Sequence, residues 1–130
     1  MSTSKELTDR YIRAYNARDR MAIRAMLAPG LEFVRPGGAT LTTPDEVMAQ
    51  YERDWAMLRS SRVEVRALLE ADESIMAEIT VVATTIDGRS LAFEAVLAHR
   101  WHEGRLVRYR VYVDPLPPDV LDAISSKPRG

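Results

Sequence analysis

Three side chains in this 130-residue chain stand out for chemistry: Tyr11, Arg35 and His99. Arg35 ends the stretch Leu31-Glu32-Phe33-Val34-Arg35, in which Leu31, Phe33 and Arg35 share one face of a strand. A guanidinium stays protonated and offers a planar fork of donors, so Arg35 suits a carboxylate or an enolate. Its alternative is an internal partner such as Asp54 or Glu94, because an unpaired buried charge costs several kcal/mol, on the order of 3–5. His99 falls on the apolar parity of its strand. With an ordinary pKa of about 6.5 an imidazole can act as acid or base, or it can sit satisfied in a core. Tyr11 offers a phenol that can donate to a carbonyl or oxyanion, or pair with a neighbour in the core. Asp114 is a weaker candidate. It could orient His99, but parity puts it on the opposite face, and Asp-Pro favours a turn.

Two kinds of element must position these groups. Helices come first. Thr3-Ser4-Lys5-Glu6 reads as a capping box, and Leu7, Tyr11 and Tyr15 then recur along one helical face. Asp19 can cap a second, short helix carrying Ile23, Met26 and Leu27, ended by Pro29-Gly30. The strand with Arg35 follows and stops at Pro36-Gly37-Gly38. Thr43-Pro44-Asp45-Glu46 opens a third helix with Val47, Tyr51, Trp55 and Leu58 on one side. After Ser61 the pattern alternates. Turns at Asp72-Glu73-Ser74, Asp87-Gly88 and Glu103-Gly104 divide it into four antiparallel strands. Proline at 115, 117 and 118 ends the sheet, with a short helix at Asp119–Ile124 and a tail.

The order helix, helix, strand, helix and four-strand meander predicts an α+β fold, with helices covering one face of a curved sheet. One domain spans residues 1–130, with its core at about 4–116 and a C-terminal helix and tail at 117–130.

Strand parity sorts the inside from the outside. Phe93, Ala95, Leu97, His99 and Trp101 share one face, opposite Glu94, Val96, Ala98, Arg100 and His102. On the last strand Val107, Tyr109, Val111 and Val113 oppose Leu106, Arg108, Arg110, Tyr112 and Asp114. Every aromatic except Tyr112 then points inward: Tyr11, Tyr15, Phe33, Tyr51, Trp55, Phe93, Trp101 and Tyr109. Together with Leu97 and Val111 they make either a filled core or the wall of a pocket for a hydrophobic small molecule.

Composition excludes several other functions. Eighteen basic and 19 acidic residues leave a net charge near −1, which gives no electrostatic footprint for nucleic acid or anionic membrane. There is no cysteine, hence no thiolate chemistry and no zinc–thiolate site. Two histidines of opposite parity, without an acidic cluster, point to no metal site. No cofactor motif is present, because Pro36-Gly37-Gly38 is too short for a phosphate loop. MSTSKELTDR has no apolar run, so neither signal peptide nor membrane anchor is expected and the cytoplasm is the default location.

RYIRAYNARD (10–19), LEFVRPGG (31–38), TPDEV (43–47) and GRLVRYRVYVDP (104–115) resemble the nuclear transport factor 2-like superfamily. Within it they are most similar to the SnoaL-like proteins. The resemblance implies a cone-shaped fold with a pocket between sheet and helices, and a homodimer through the outer sheet face bearing Val96, Arg108, Arg110 and Tyr112. It also tests known catalytic sets. The ketosteroid isomerase branch aligns without a gap from Arg10 to Arg35. Its oxyanion-donating tyrosine falls on Tyr11, but its base falls on Arg35 and its second acid on Leu97 or Ala98. The Asp-Arg-Asp set of limonene epoxide hydrolases falls on Val111, Ile79 and Val81. Both sets are therefore absent. Polyketide cyclases of this kind use a histidine and an aspartate on late strands, for which His99 and Asp114 are the nearest candidates. The expectation is a cofactor-free isomerase, cyclase or hydratase/lyase acting on a hydrophobic carbonyl or carboxylate compound. The alternative is a non-catalytic dimeric module that binds a ligand or a protein.

Overall fold

In the computed structural model, which describes residues 2–36 and 39–113, three helices lie against a curved, unclosed six-stranded sheet. Helix α1 (Ser4–Asn16) starts at the predicted capping box. The Thr3 side chain accepts from the Glu6 N–H, and the Glu6 carboxylate accepts from the Thr3 N–H. Helix α3 (Pro44–Ala56) repeats the device with Thr43 and Glu46. Each box satisfies two backbone donors that a helix start leaves free. Between them lie α2 (Arg20–Met26), β1 (Leu27–Val34) and β2 (Thr40–Leu41). The meander is β3 (Leu58–Ala71), β4 (Ser74–Thr85), β5 (Ser90–His102) and β6 (Arg105–Val113).

Several boundaries differ from the sequence reading, each for a local reason. Leu27 opens β1 rather than closing α2, and pairs with Leu106. Pro29 and Gly30 do not stop a helix. They sit in an irregular stretch of β1 between the Leu27 and Glu32 pairings, where Gly30 takes φ +72, as a bulge requires. Strand β3 starts at Leu58, before Ser61. Strand β2 adds an edge strand that the sequence did not signal.

The strand order is β2-β1-β6-β5-β4-β3, and β1 joins β6 in parallel while the other pairings are antiparallel. This parallel register puts Phe33 beside Tyr109, and their rings stack at 3.9 Å and 2°. The Glu103-Gly104 turn has both residues at positive φ, 51 and 78, the geometry of a tight type I′ hairpin. A register shift follows, with Arg100 opposite Arg108 but Trp101 opposite Leu106. Leu106 is thereby turned inward and fully buried, whereas uninterrupted parity had placed it outside.

The core divides in two. The larger cluster joins α1, α2, α3, β1 and the Trp101–Leu106 end of the hairpin. The smaller one joins Ile12 to Ala77, Ile79, Ala95 and Leu97. Between them the packing is incomplete, and that gap is the site.

Candidate functional site

A cavity of about 180 Å³ opens between the helices and the sheet. Pockets for drug-sized ligands start at roughly 300 Å³, so this one suits a compact molecule of one or two rings. Its wall has two halves. Val63, Ile79, Val81, Phe93, Leu97 and Val111 make an apolar half on the sheet. Tyr11 and Tyr15 from α1, Tyr51 and Asp54 from α3, Arg35 beyond β1, and Tyr109 from β6 make the polar half.

Helical spacing produces the polar half. Tyr11 and Tyr15 are one turn apart on α1, and Tyr51 and Asp54 are three residues apart on α3, so each pair shares a helix face. The hydroxyls of Tyr11 and Tyr51 lie 2.7 Å apart. Burial raises both phenol pKa values well above the ordinary 10, and raises that of Tyr109 too. All three are therefore neutral donors at physiological pH. In the Tyr11–Tyr51 pair one proton is used between the two oxygens. The accepting hydroxyl keeps its own proton, and the Tyr109 phenol lies close enough to Tyr51 to join the same hydrogen-bonding group.

At the mouth, Arg35 meets Asp54, with its Nη2 at 3.5 and 3.3 Å from the two carboxylate oxygens. Gln50 Nε2 also donates to Asp54 Oδ1 at 2.9 Å. Both charged side chains are about one-third exposed (34% and 33%). Of the two acids offered as internal partners for Arg35, Asp54 is the one it meets, not Glu94, and the pair borders the cavity.

His99 is buried at 2% exposure, inside as parity required, but it does not border the cavity. Trp101 Nε1–H donates to Thr8 Oγ1 at 2.9 Å, and the same oxygen lies 3.0 Å from His99 Nδ1. His99 Nε2 meets no hydrogen-bond partner among the described residues. An imidazolium needs acceptors at both nitrogens, so burial lowers this pKa from 6.5 to about 3. The structure leaves the predicted proton carrier neutral and behind the wall.

Of the other predicted lining residues, Tyr15, Phe33, Tyr51, Phe93, Leu97, Tyr109 and Val111 border the cavity. Trp55 and Trp101 do not. Trp55 stacks on Tyr51 at 5.4 Å and 17°, and Arg20 lies 4.9 Å from its ring centroid. It supports the wall from behind. Asp114 lies outside the described residues. Sequence reasoning missed Asp54 as a site residue, although its position three residues after the inward Tyr51 is the signal that finds it. It also missed Ile12, which separates the cavity from a groove of about 350 Å³ under α1. Among the described residues no cluster of three or more His, Asp or Glu is placed to hold a metal ion, and no helix is long and apolar enough to cross a membrane.

A curved sheet closed by three helices over a small, mostly apolar cavity defines the class: an NTF2-like α+β pocket fold. The chain belongs to the SnoaL-like domain family, whose model matches residues 8–109. Among solved structures it is similar to an NTF2-like protein of unknown function from Burkholderia pseudomallei. That match has 26% identity and a TM-score of 0.80, and covers 88% of this chain and 92% of that one. It is also similar to an LEH-like epoxide hydrolase of M. tuberculosis, with 16% identity, a TM-score of 0.77, and 98% and 90% covered. TerC, co-crystallised with polyporic acid, matches at 19% identity and a TM-score of 0.78, with 87% and 92% covered. The last two likenesses concern the fold alone. No curated protein sequence matches the chain.

Proposed function

We propose that this protein binds a compact, largely apolar ring compound with its carbonyl oxygen against the Tyr11–Tyr51 pair, and changes it by cofactor-free acid/base chemistry: isomerisation, cyclisation, or hydration and its reverse. The observation that carries this reading is the 2.7 Å contact between two buried, neutral phenols on the wall of an otherwise apolar cavity. Donors fixed in a site that excludes water stabilise charge developing on oxygen, and paired hydrogen bonds strengthen one another. Ile79, Val81 and Val111, on which the resemblance puts the epoxide-hydrolase set, border the cavity and are aliphatic, so they offer no group for that chemistry. Arg35, where the isomerase base would fall, cannot take a proton. It holds negative charge at the mouth instead.

The test uses 2-naphthol, a flat ring compound whose oxygen mimics an enolate. Its fluorescence reports binding to wild type and to Tyr11→Phe/Tyr51→Phe. The double variant is expected to bind at least about 10-fold more weakly, or ~1.4 kcal/mol. Equal affinities would remove the phenol pair from the site.

A partner reading rests on a separate observation. Met76, Val82 and Tyr112 on the outer sheet face are 47%, 40% and 44% exposed, and Arg110 lies 4.9 Å from the Tyr112 ring centroid. Such a face supports a homodimer through the sheet, as the family resemblance implies. It is compatible with the enzyme and with a purely binding role.

A further inference from the structure

We propose that Asp54 is the proton acceptor of this cavity, and that its substrates are carbon acids: ring ketones or related carbonyl compounds bearing a C–H next to the carbonyl. The proposal rests on the preceding reading and adds the base that it lacks. His99 is walled off behind Thr8, Trp101 and Tyr11. Arg35 has no proton-accepting form. The phenols are donors. Among the described residues that border the cavity, Asp54 carries the only carboxylate.

Its placement fits the role. Asp54 follows Tyr51 by three residues on α3, so carboxylate and phenol project from the same side of one rigid helix. Oδ1 is engaged by Gln50 at 2.9 Å, whereas Oδ2 has only the longer 3.3 Å contact from Arg35. Oδ2 therefore keeps a lone pair for a proton, while Gln50 holds the group in place. At one-third exposure the carboxylate is open to solvent, and an entering ligand would cover it.

The step balances without a co-reactant. A lone pair on Asp54 Oδ2 takes the proton from the carbon beside the carbonyl. The C–H electron pair becomes the enolate C=C bond, and the carbonyl π pair moves onto oxygen, where the phenol pair donates to it. As Asp54 becomes neutral, Arg35 loses its partner's charge and is left to attract the enolate. Return of the proton to the same carbon gives exchange, and return to another carbon of the conjugated system gives isomerisation. Either path regenerates the Asp54 carboxylate.

The experiment follows α-hydrogen exchange of 2-tetralone in D2O by proton NMR, with 2-naphthol binding measured on the same samples. Wild type is expected to speed the loss of the α-proton signal. Asp54→Asn should lose about 100-fold or more of that acceleration while still binding 2-naphthol, and Asp54→Glu should recover part of it. Exchange that survives in Asp54→Asn overturns the assignment. So does a wild type that binds 2-naphthol but exchanges nothing, which leaves the cavity reading standing. Loss of exchange together with loss of 2-naphthol binding in Asp54→Asn makes the residue structural and also overturns it. A wild type that does neither overturns the cavity reading itself.

Discussion

Thr8 Oγ1 and His99 Nδ1 lie 3.0 Å apart, with the Trp101 indole N–H donating to the same hydroxyl. This three-residue link ties α1 to β5 and gives the buried His99 Nδ1 its partner. It also has a pH signature. The folded pKa of about 3 lies below the ordinary 6.5, so between those values the unfolded chain binds a proton that the folded one refuses. The stability held by neutral His99 is complete above pH 6.5 and is lost as pH falls towards 3, at up to about 1.4 kcal/mol per pH unit. Urea unfolding from pH 7 to 4 should show this acid limb, and His99→Gln should flatten it. An unchanged slope in the variant would mean that His99 charges freely in the folded state.

The Tyr11–Tyr51 hydrogen bond makes a second prediction. Either single change to phenylalanine breaks the same 2.7 Å contact, so each should cost about 1 kcal/mol. The double change should then cost clearly less than the sum of the two. A double-mutant cycle in urea measures this, and strict additivity would show that the two hydroxyls do not interact in solution.

The Arg35–Asp54 pair makes a prediction about ligand charge. A carboxylate entering the mouth competes with Asp54 for the guanidinium. Wild type is therefore expected to bind 2-acetylnaphthalene more tightly than 2-naphthoate, and Asp54→Asn should reverse the order. Calorimetric titration of both ligands decides it. A wild-type preference for the carboxylate would mean that Arg35 yields its partner easily.

Ile12 packs at 7% exposure between the cavity and the groove under α1. Ile12→Ala should cost about 2–5 kcal/mol in urea unfolding. The two spaces should also join, so that alkyl-substituted naphthols too long for wild type bind the variant. Retained exclusion of those ligands would show that the helix collapses into the gap.

If the outer sheet face joins two copies, Tyr112→Glu should drive the protein to monomer in sedimentation equilibrium, because it buries a charge opposite its own copy. The fold should be intact by circular dichroism. A dimer that survives the change must use another surface.

The parts legible in the sequence were those written in short-range pattern. Thr3/Glu6 and Thr43/Glu46 declare their helices within four residues, and alternation along β5 placed Phe93 through Trp101 on the inner face. The parts that failed depend on pairing between distant segments. Nothing near Leu27 announces a parallel bond to Leu106, and nothing in β6 alone announces the shift that turns Leu106 inward. The site divides in the same way. Facing direction was readable, so Tyr11, Tyr51, Tyr109 and Arg35 were placed on the inner side, and they border the cavity. Depth was not, because whether an inward side chain meets a cavity or a neighbour depends on what stands opposite. His99 and Asp54 changed importance for that reason: Thr8 and Trp101 seal one, while Arg35 and Gln50 hold the other at an opening.

The division of the cavity wall has a stereochemical consequence. Val63, Ile79, Val81, Phe93, Leu97 and Val111 form one side, and the phenols, Arg35 and Asp54 stand on the other. A flat ligand lying against the apolar side would present a single face to the phenols and Asp54. In the proposed reaction the proton would leave from that face and return to it, so deuterium from solvent would enter with one handedness.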